Sequence, residues 1–236
     1  MHIRKVIANI VCGLIPSKKY RHKIRSYLKG RIGKNNRVIV IKDGKEYVNH
    51  WFKIPRGLKI STIGNNNIIK LHLPMHFKKA SINLECDNGI VEILEGCYLL
   101  EFNINFAKCN APKCRIGKSV STEGVTIFTR ASSQIVIEDE CMFSHSILIR
   151  LSDSHRIYDK KGKDIINKQK WPLKIGRHSW IGQNVFISKN AIIPPNSIIG
   201  MASVVSSQFT EEYTCIAGNP AKVVKKGVIW TRELES

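Results

Sequence analysis

The chain has 236 residues, 43% of them hydrophobic, which fits one large domain with a packed core and argues against a disordered polyelectrolyte. Thirty-eight Lys and Arg against eighteen Asp and Glu give a formal charge of +20, so the partners it suits are anionic: nucleic acid, an acidic membrane surface, or phosphorylated and polyanionic ligands. Seven cysteines (Cys12, Cys86, Cys97, Cys109, Cys114, Cys141 and Cys215) form an odd set with no C-x-x-C pair, which argues against a disulfide framework or a zinc ribbon and for reduced core thiols in a cytoplasmic protein.

Residues 1–36 read as a basic amphipathic helical segment. Ile3, Val6, Ile7, Ile10 and Leu14 fall at helical spacing, Pro16-Ser17 interrupts them, and Tyr20, Ile24 and Leu28 resume an apolar stripe among many Lys and Arg. Such a stripe can lie on an anionic bilayer, peripheral to the inner membrane, or pack onto its own protein. The apolar run 6–15 is too short to span a bilayer.

Residues 37–134 alternate short aliphatic runs with turn-formers, as in Ile63-Gly64-Asn65-Asn66-Asn67 and Ile116-Gly117, and are expected to form irregular β coils. From 135 to 209 the pattern sharpens. Ile175, Ile181, Ile187, Ile193, Ile199 and Val205 recur every six residues, and Ser179, Val185, Ala191, Ser197 and Ser203 mark a second inward site. That period belongs to a β-helix of hexapeptides with three flat faces per turn. Gly176, Gly182 and Gly200 follow three of the aliphatics, where a corner is expected to need backbone freedom and little bulk.

The phase set by Ile137, Phe143 and Ile149 is lost before Ile175, so a loop of about 150–173 leaves the coil. It carries Asp153, His155, Arg156, Tyr158 and Asp159. Loops extruded from a rigid scaffold are where function concentrates. Residues 210–236 form a C-terminal tail through Gly218-Asn219-Pro220-Ala221-Lys222 to Trp230 and Arg232.

The Ile-Gly repeats, the loop sequence Asp153-Ser154-His155-Arg156-Ile157-Tyr158-Asp159, Trp180-Ile181-Gly182 and the exit sequence 217–222 together resemble the hexapeptide-repeat acyltransferases. Among these, the enzymes that O-acetylate capsular, sialic-acid or O-antigen polysaccharides are the most similar. The resemblance implies an all-β, left-handed parallel β-helix and transfer of an acetyl group from acetyl-CoA to a hydroxyl of a bacterial surface glycan or its precursor, with His155 as general base. Imidazole titrates near neutrality, so the role is chemically apt.

The same resemblance implies a homotrimer with the cofactor in the groove between neighbouring β-helices. Coil corners at Gly182, Gly200 and Ala202 would offer backbone hydrogen bonds, the turn Gly218, Asn219, Pro220, Ala221 and Lys222 would lie near the adenosine, and Lys225 and Arg232 would add cations. Trp180, with Arg156, Tyr158 and Asp159, would shape the acceptor site, the indole face suiting sugar rings. Asp153 or Asp159 could orient the imidazole or equally cap a turn. His145 is a second base candidate, ranked lower because it sits inside a coil.

Three alternatives differ in chemistry. A sugar-nucleotide N-acetyltransferase would use the same scaffold on an amine. A carbonic-anhydrase-like metal enzyme would need a histidine set, but His72 and His76 flank Pro74 and no third ligand is evident, so no metal is expected. A nucleic-acid binder would exploit the charge, yet no recognition motif is present and only weak, salt-sensitive binding is expected.

Overall fold

The computed structural model describes residues 33–49 and 53–233, so the amphipathic stripe of residues 1–32 lies outside the described residues. Among the described residues there is no α-helix, and no helix is long and apolar enough to cross a membrane. The chain winds through three parallel sheets as a three-sided prism. Face 1 runs from Arg37–Lys42 to Ile192–Ile193, face 2 from His76–Lys78 to the terminal hairpin, and face 3 from Leu58–Ile63 to Val204–Val205. Within a coil the order is face 1, face 2, face 3, as in Gln134–Ile137, Met142–Phe143 and Ile147–Arg150.

The period-six column is the core. Ile175, Ile181, Ile187, Ile193, Ile199 and Val205 are all at most 1% exposed, two per face, with Ile175 stacked on Ile193, Ile181 on Ile199 and Ile187 on Val205. The second inward site tolerates serine because each hydroxyl finds a carbonyl three residues back: Ser179 donates to Gly176 (2.7 Å), Ser197 to Pro194 (2.8 Å) and Ser203 to Gly200 (2.6 Å).

The stretch 37–134, expected to form irregular coils, keeps the three-faced winding but with uneven repeats: Arg37 pairs with Ile68, 31 residues on, Ile90 with Lys113, 23 on, and Lys113 with Gln134, 21 on. Ser81 lies beside Asn103 and Asn83 beside Asn105, each 22 residues on, whereas in the later coils Trp180 lies beside Ile198, 18 residues on. The extra residues sit in face 3, where Ala80–Asp87 and Phe102–Asn110 span eight and nine residues against the two of Val204–Val205. Inside those longer strands burial alternates: Ile82 and Leu84 point in, Ser81 and Asn83 out. The coil also continues past 209, because Thr214–Gly218 still pairs in parallel with Ile198–Ile199 before Ala221–Lys226 turns back antiparallel.

The corners correct the reading of the glycines. The left-handed backbone is taken every six residues by His178, Asn184, Asn190, Asn196 and Ala202, with φ between 51° and 67°. Asparagine accepts that conformation better than other side chains. Gly176, Gly182 and Gly200 instead provide room: a Cβ on Gly176 would lie 2.3 Å from Pro195 N, and one on Gly182 2.8 Å from Ile199 O. The six described cysteines form no disulfide, and burial pushes the Cys97 thiol up to about 11, as suits a packing group.

Candidate active site

The extruded loop leaves and rejoins the prism at the corner between faces 3 and 1, since Ile135 pairs directly with Leu173 across it. Its base is pinned on both sides. Gln169 exchanges two hydrogen bonds with the Gln134 backbone (2.8 and 3.0 Å), and Trp171 Nε1 donates to Asn190 O (2.9 Å). Arg150 Nη2 donates to Ser154 Oγ (3.1 Å), and Lys189 forms an ion pair with Asp153. The tip is a small hairpin in which Tyr158 bridges Ile165.

One residue that sequence reasoning passed over organises the segment around His155. Asn167 donates to Asp153 Oδ2 (2.7 Å) and to His155 O (2.9 Å), while its own carbonyl accepts the Ile157 N–H (2.9 Å). No motif marks it, because its partners lie ten to fourteen residues away. Replacing Asn167 with alanine is expected to lower transfer kcat/KM about tenfold with little change in melting temperature, since a loosened loop forfeits positioning rather than core packing. Steady-state kinetics beside thermal denaturation checks this.

The two carboxylates do not orient the imidazole. Burial works against ionisation of Asp153, but hydrogen bonds from Lys189 and Asn167 and the Lys189 charge outweigh it and hold the carboxyl below its usual range. Asp159 caps the hairpin turn by accepting the N–H groups of Lys163 (2.9 Å) and Asp164 (3.0 Å), and the Asp164 N–H is the main cause of its lowered pKa. Among the described residues Asp153 is thus an anchor and Asp159 a turn cap, and neither is hydrogen-bonded to the His155 ring. His155 stays exposed and bonds through its carbonyl; Arg156 and Tyr158 are exposed beside it.

Trp180 lies on face 2, 36% exposed, with Trp230 tilted against it at 6.1 Å. The tail folds back along the corner between faces 1 and 2. Trp230 Nε1 donates to His178 O (2.8 Å), its ring stacks on His178 at 4.4 Å, and Arg232 donates to Ser121 Oγ (2.7 Å) and to the carbonyls of Ser119, Glu140 and Cys141. Arg232 is therefore a clasp for the tail, not a cation free for a phosphate. Lys222 and Lys225 remain exposed on Ala221–Lys226, while Lys226 pairs with Glu211 (2.6 Å).

Several of the residues expected at the cofactor lie together, Arg232 excepted. Gly182, Gly200 and Ala217 stack at the corner between faces 2 and 3, Ala202 donates to Gln183 O (2.8 Å) there, and Gly218 N donates to Ser203 Oγ (3.1 Å), bringing the Gly218-Asn219-Pro220-Ala221 turn to the same end. His145 shares this corner, where its carbonyl accepts the Asn184 N–H (3.2 Å). It is exposed, so the reason for ranking it second, confinement within a coil, does not hold. His155 and Trp180 do not meet within one chain: the corner between faces 3 and 1 is opposite face 2. His72 and His76 diverge too, one on Glu92 (3.3 Å) and the other stacked on Tyr98.

No family model matches the chain. It is 37% identical over 98 residues to the polysialic acid O-acetyltransferase of Escherichia coli O1:K1 / APEC, a match covering 42% of this chain and about a third (31%) of that relative's length. The crystal structure of the polysialic acid O-acetyltransferase OatWY superposes with a TM-score of 0.68 at 27% identity over 86% of this chain and 91% of that one. The chain is thus similar in fold, and over part of its sequence, to polysialic acid O-acetyltransferases. Its coil is accordingly the left-handed β-helix of these proteins, and the polySia-specific acetyltransferase NeuO shares the fold, with a TM-score of 0.52 at 22% identity over 86% of this chain and 88% of that one. In this hexapeptide-repeat chain the extruded loop and the small-residue corner flank face 3, one on either side.

Proposed function

We propose that the protein transfers an acetyl group from acetyl-CoA to a hydroxyl of an acidic bacterial surface glycan of the polysialic type, or of its precursor, in the cytoplasm where acetyl-CoA is available. The observation that carries this reading is His155, exposed at the root of a loop pinned to a β-helix corner. The likeness to polysialic acid O-acetyltransferases supplies the substrate class. The imidazole takes the proton of the acceptor hydroxyl as that oxygen attacks the thioester carbonyl. The tetrahedral intermediate collapses to the ester, and the departing coenzyme A thiolate recovers the proton from the imidazolium.

A homotrimer completes the site in this reading, and face 3 is the surface that suits its axis. Its two longest outward columns run Lys59, Ser81, Asn103, Thr126, Leu148, Phe186, Val204 and Ser61, Asn83, Asn105, Phe128, Arg150, Ser188, with one charge in each, and a shorter third, Ile63, Glu85 and Ala107, adds a carboxylate. Face 1 instead carries Lys70, Glu92, Arg115 and Lys174 in one column. In a chain of charge +20, a nearly uncharged face is the one copies can bury at least desolvation cost. With face 3 inward, threefold symmetry sets the His155 corner of one chain against the glycine corner of the next, and Trp180 beside it.

The test incubates purified protein with acetyl-CoA and polysialic acid or dextran, following thiol release and product mass. Release with polysialic acid alone, and a 42-dalton gain per site (about one acetyl for one hydrogen) removed by mild alkali, supports O-acetylation. An alkali-stable product identifies an N-acetyltransferase. No release with any glycan overturns the proposal.

A further inference from the structure

A cleft of about 740 Å³ at the N-terminal end of the prism lies apart from the site described above. Its floor is apolar, with Leu73, Met75 and Phe77, and Lys42, Arg56 and Lys78 stand around it. These three cations have no ion-pair partner among the described residues, whereas the neighbouring Lys79 is neutralised by Glu101 at 2.8 Å. Asp43 is the only carboxylate in the lining. Beside the cleft the His76 ring stacks on Tyr98, with centroids 4.5 Å apart and planes 11° apart, and half of Tyr98 is exposed.

Unspent cations next to a flat aromatic surface form a site for an acidic sugar, with carboxylates met by the amines and a ring face by the aromatic pair. Register gives the position of the cleft relative to the site. His76, Tyr98, Ser121, Met142 and Trp180 are successive partners in one outward column of face 2. Four strand spacings separate its ends, about 19 Å. Arg232, donating to Ser121, adds a positive charge midway.

We propose that the N-terminal cleft is an accessory site for a remote segment of an acidic glycan whose reacting residue lies near Trp180. This inference rests on the function proposed above. The column forms the path between the two sites, so a polymer long enough to occupy both gains affinity that a short acceptor does not. The occupant is a glycan and not a bilayer because the cations stand around a concave, aromatic-sided cleft from which one outward column of face 2 leads to Trp180.

The experiment compares the full chain with a Lys78→Glu, Tyr98→Ala double variant. KM for long polysialic acid is expected to rise tenfold or more, with kcat, KM for acetyl-CoA and KM for a sialic acid trimer unchanged. Retention on immobilised polysialic acid without acetyl-CoA is expected to fall likewise, while polyglutamate, which has charge but no sugar face, binds the wild type more weakly than polysialic acid. Equal KM values for the polymer, equal loss on the trimer, or loss confined to binding of phosphatidylglycerol vesicles each overturns the accessory site. If the wild type acetylates no acidic glycan the proposed function fails by itself, and the retention assay still decides the cleft.

Discussion

Replacing His155 with alanine is expected to lower acetyl transfer by about 10²–10⁴-fold, the usual contribution of positioned proton transfer. Folding should be untouched, because the ring is exposed and the residue's structural hydrogen bond runs through its carbonyl to Asn167, which alanine retains. Coenzyme A affinity should also hold, since the glycine corner and the Gly218 turn are organised by backbone groups and Ser203, none of which the imidazole supports. His145→Ala is the necessary companion, since His145 is exposed at that same corner, where its carbonyl accepts the Asn184 N–H. Retained activity in His155→Ala together with an inactive His145→Ala would move the general base to residue 145.

Co-expression of two inactive chains, His155→Ala and Trp180→Ala, is expected to restore about a quarter of wild-type activity. The geometry sets this figure: the two residues lie on opposite sides of one prism, so a complete site must take its imidazole from one chain and its indole from the next. With random mixing, one pairing in four brings an intact imidazole to an intact indole. Trp180→Ala alone should keep the assembled state, because the indole is partly exposed and touches Trp230 of its own tail. Specific activity of the mixed preparation, measured against each variant alone and against a mixture made after assembly, checks it. Absence of recovery would place both groups in sites built within a single chain.

The later coils were legible in the sequence for a simple reason. With 18 residues per turn, each face contributes one inward aliphatic at constant spacing, so Ile175 to Val205 appear as a column without knowledge of the fold. The earlier coils hide the same architecture because Ala80–Asp87 and Phe102–Asn110 are long enough to alternate internally, and counting in sixes loses phase inside them. The extrusion of the loop that carries His155 was legible, because the period is lost between Ile149 and Ile175. Chemistry was misjudged where nearness in sequence stood in for geometry: Asp153 is engaged by Lys189, 36 residues on, and Arg232 by carbonyls some 90 to 110 residues before it. Lys189 and Asn167 carry no local signal, since their value comes entirely from the corner on which the chain places them.

The two antiparallel returns have a consequence for the protein in a crowded cell. A stack of parallel rungs is an open-ended template, and a second molecule could extend it by pairing backbone to backbone, as in a fibril. At one end of face 1 the strand Lys45–Val48 runs against Arg37–Lys42, and at the opposite end of face 2 Ala221–Lys226 runs against Thr214–Gly218 with Lys222, Lys225 and Lys226 along it. Reversing direction breaks the repeat that a stacking copy would have to match, and the exposed Lys222 and Lys225, unlike Lys226 on Glu211, add uncompensated charge to that edge. The same lysines thereby act as a stopper against polymerisation, a duty that would keep them in place whether or not any ligand ever touches them.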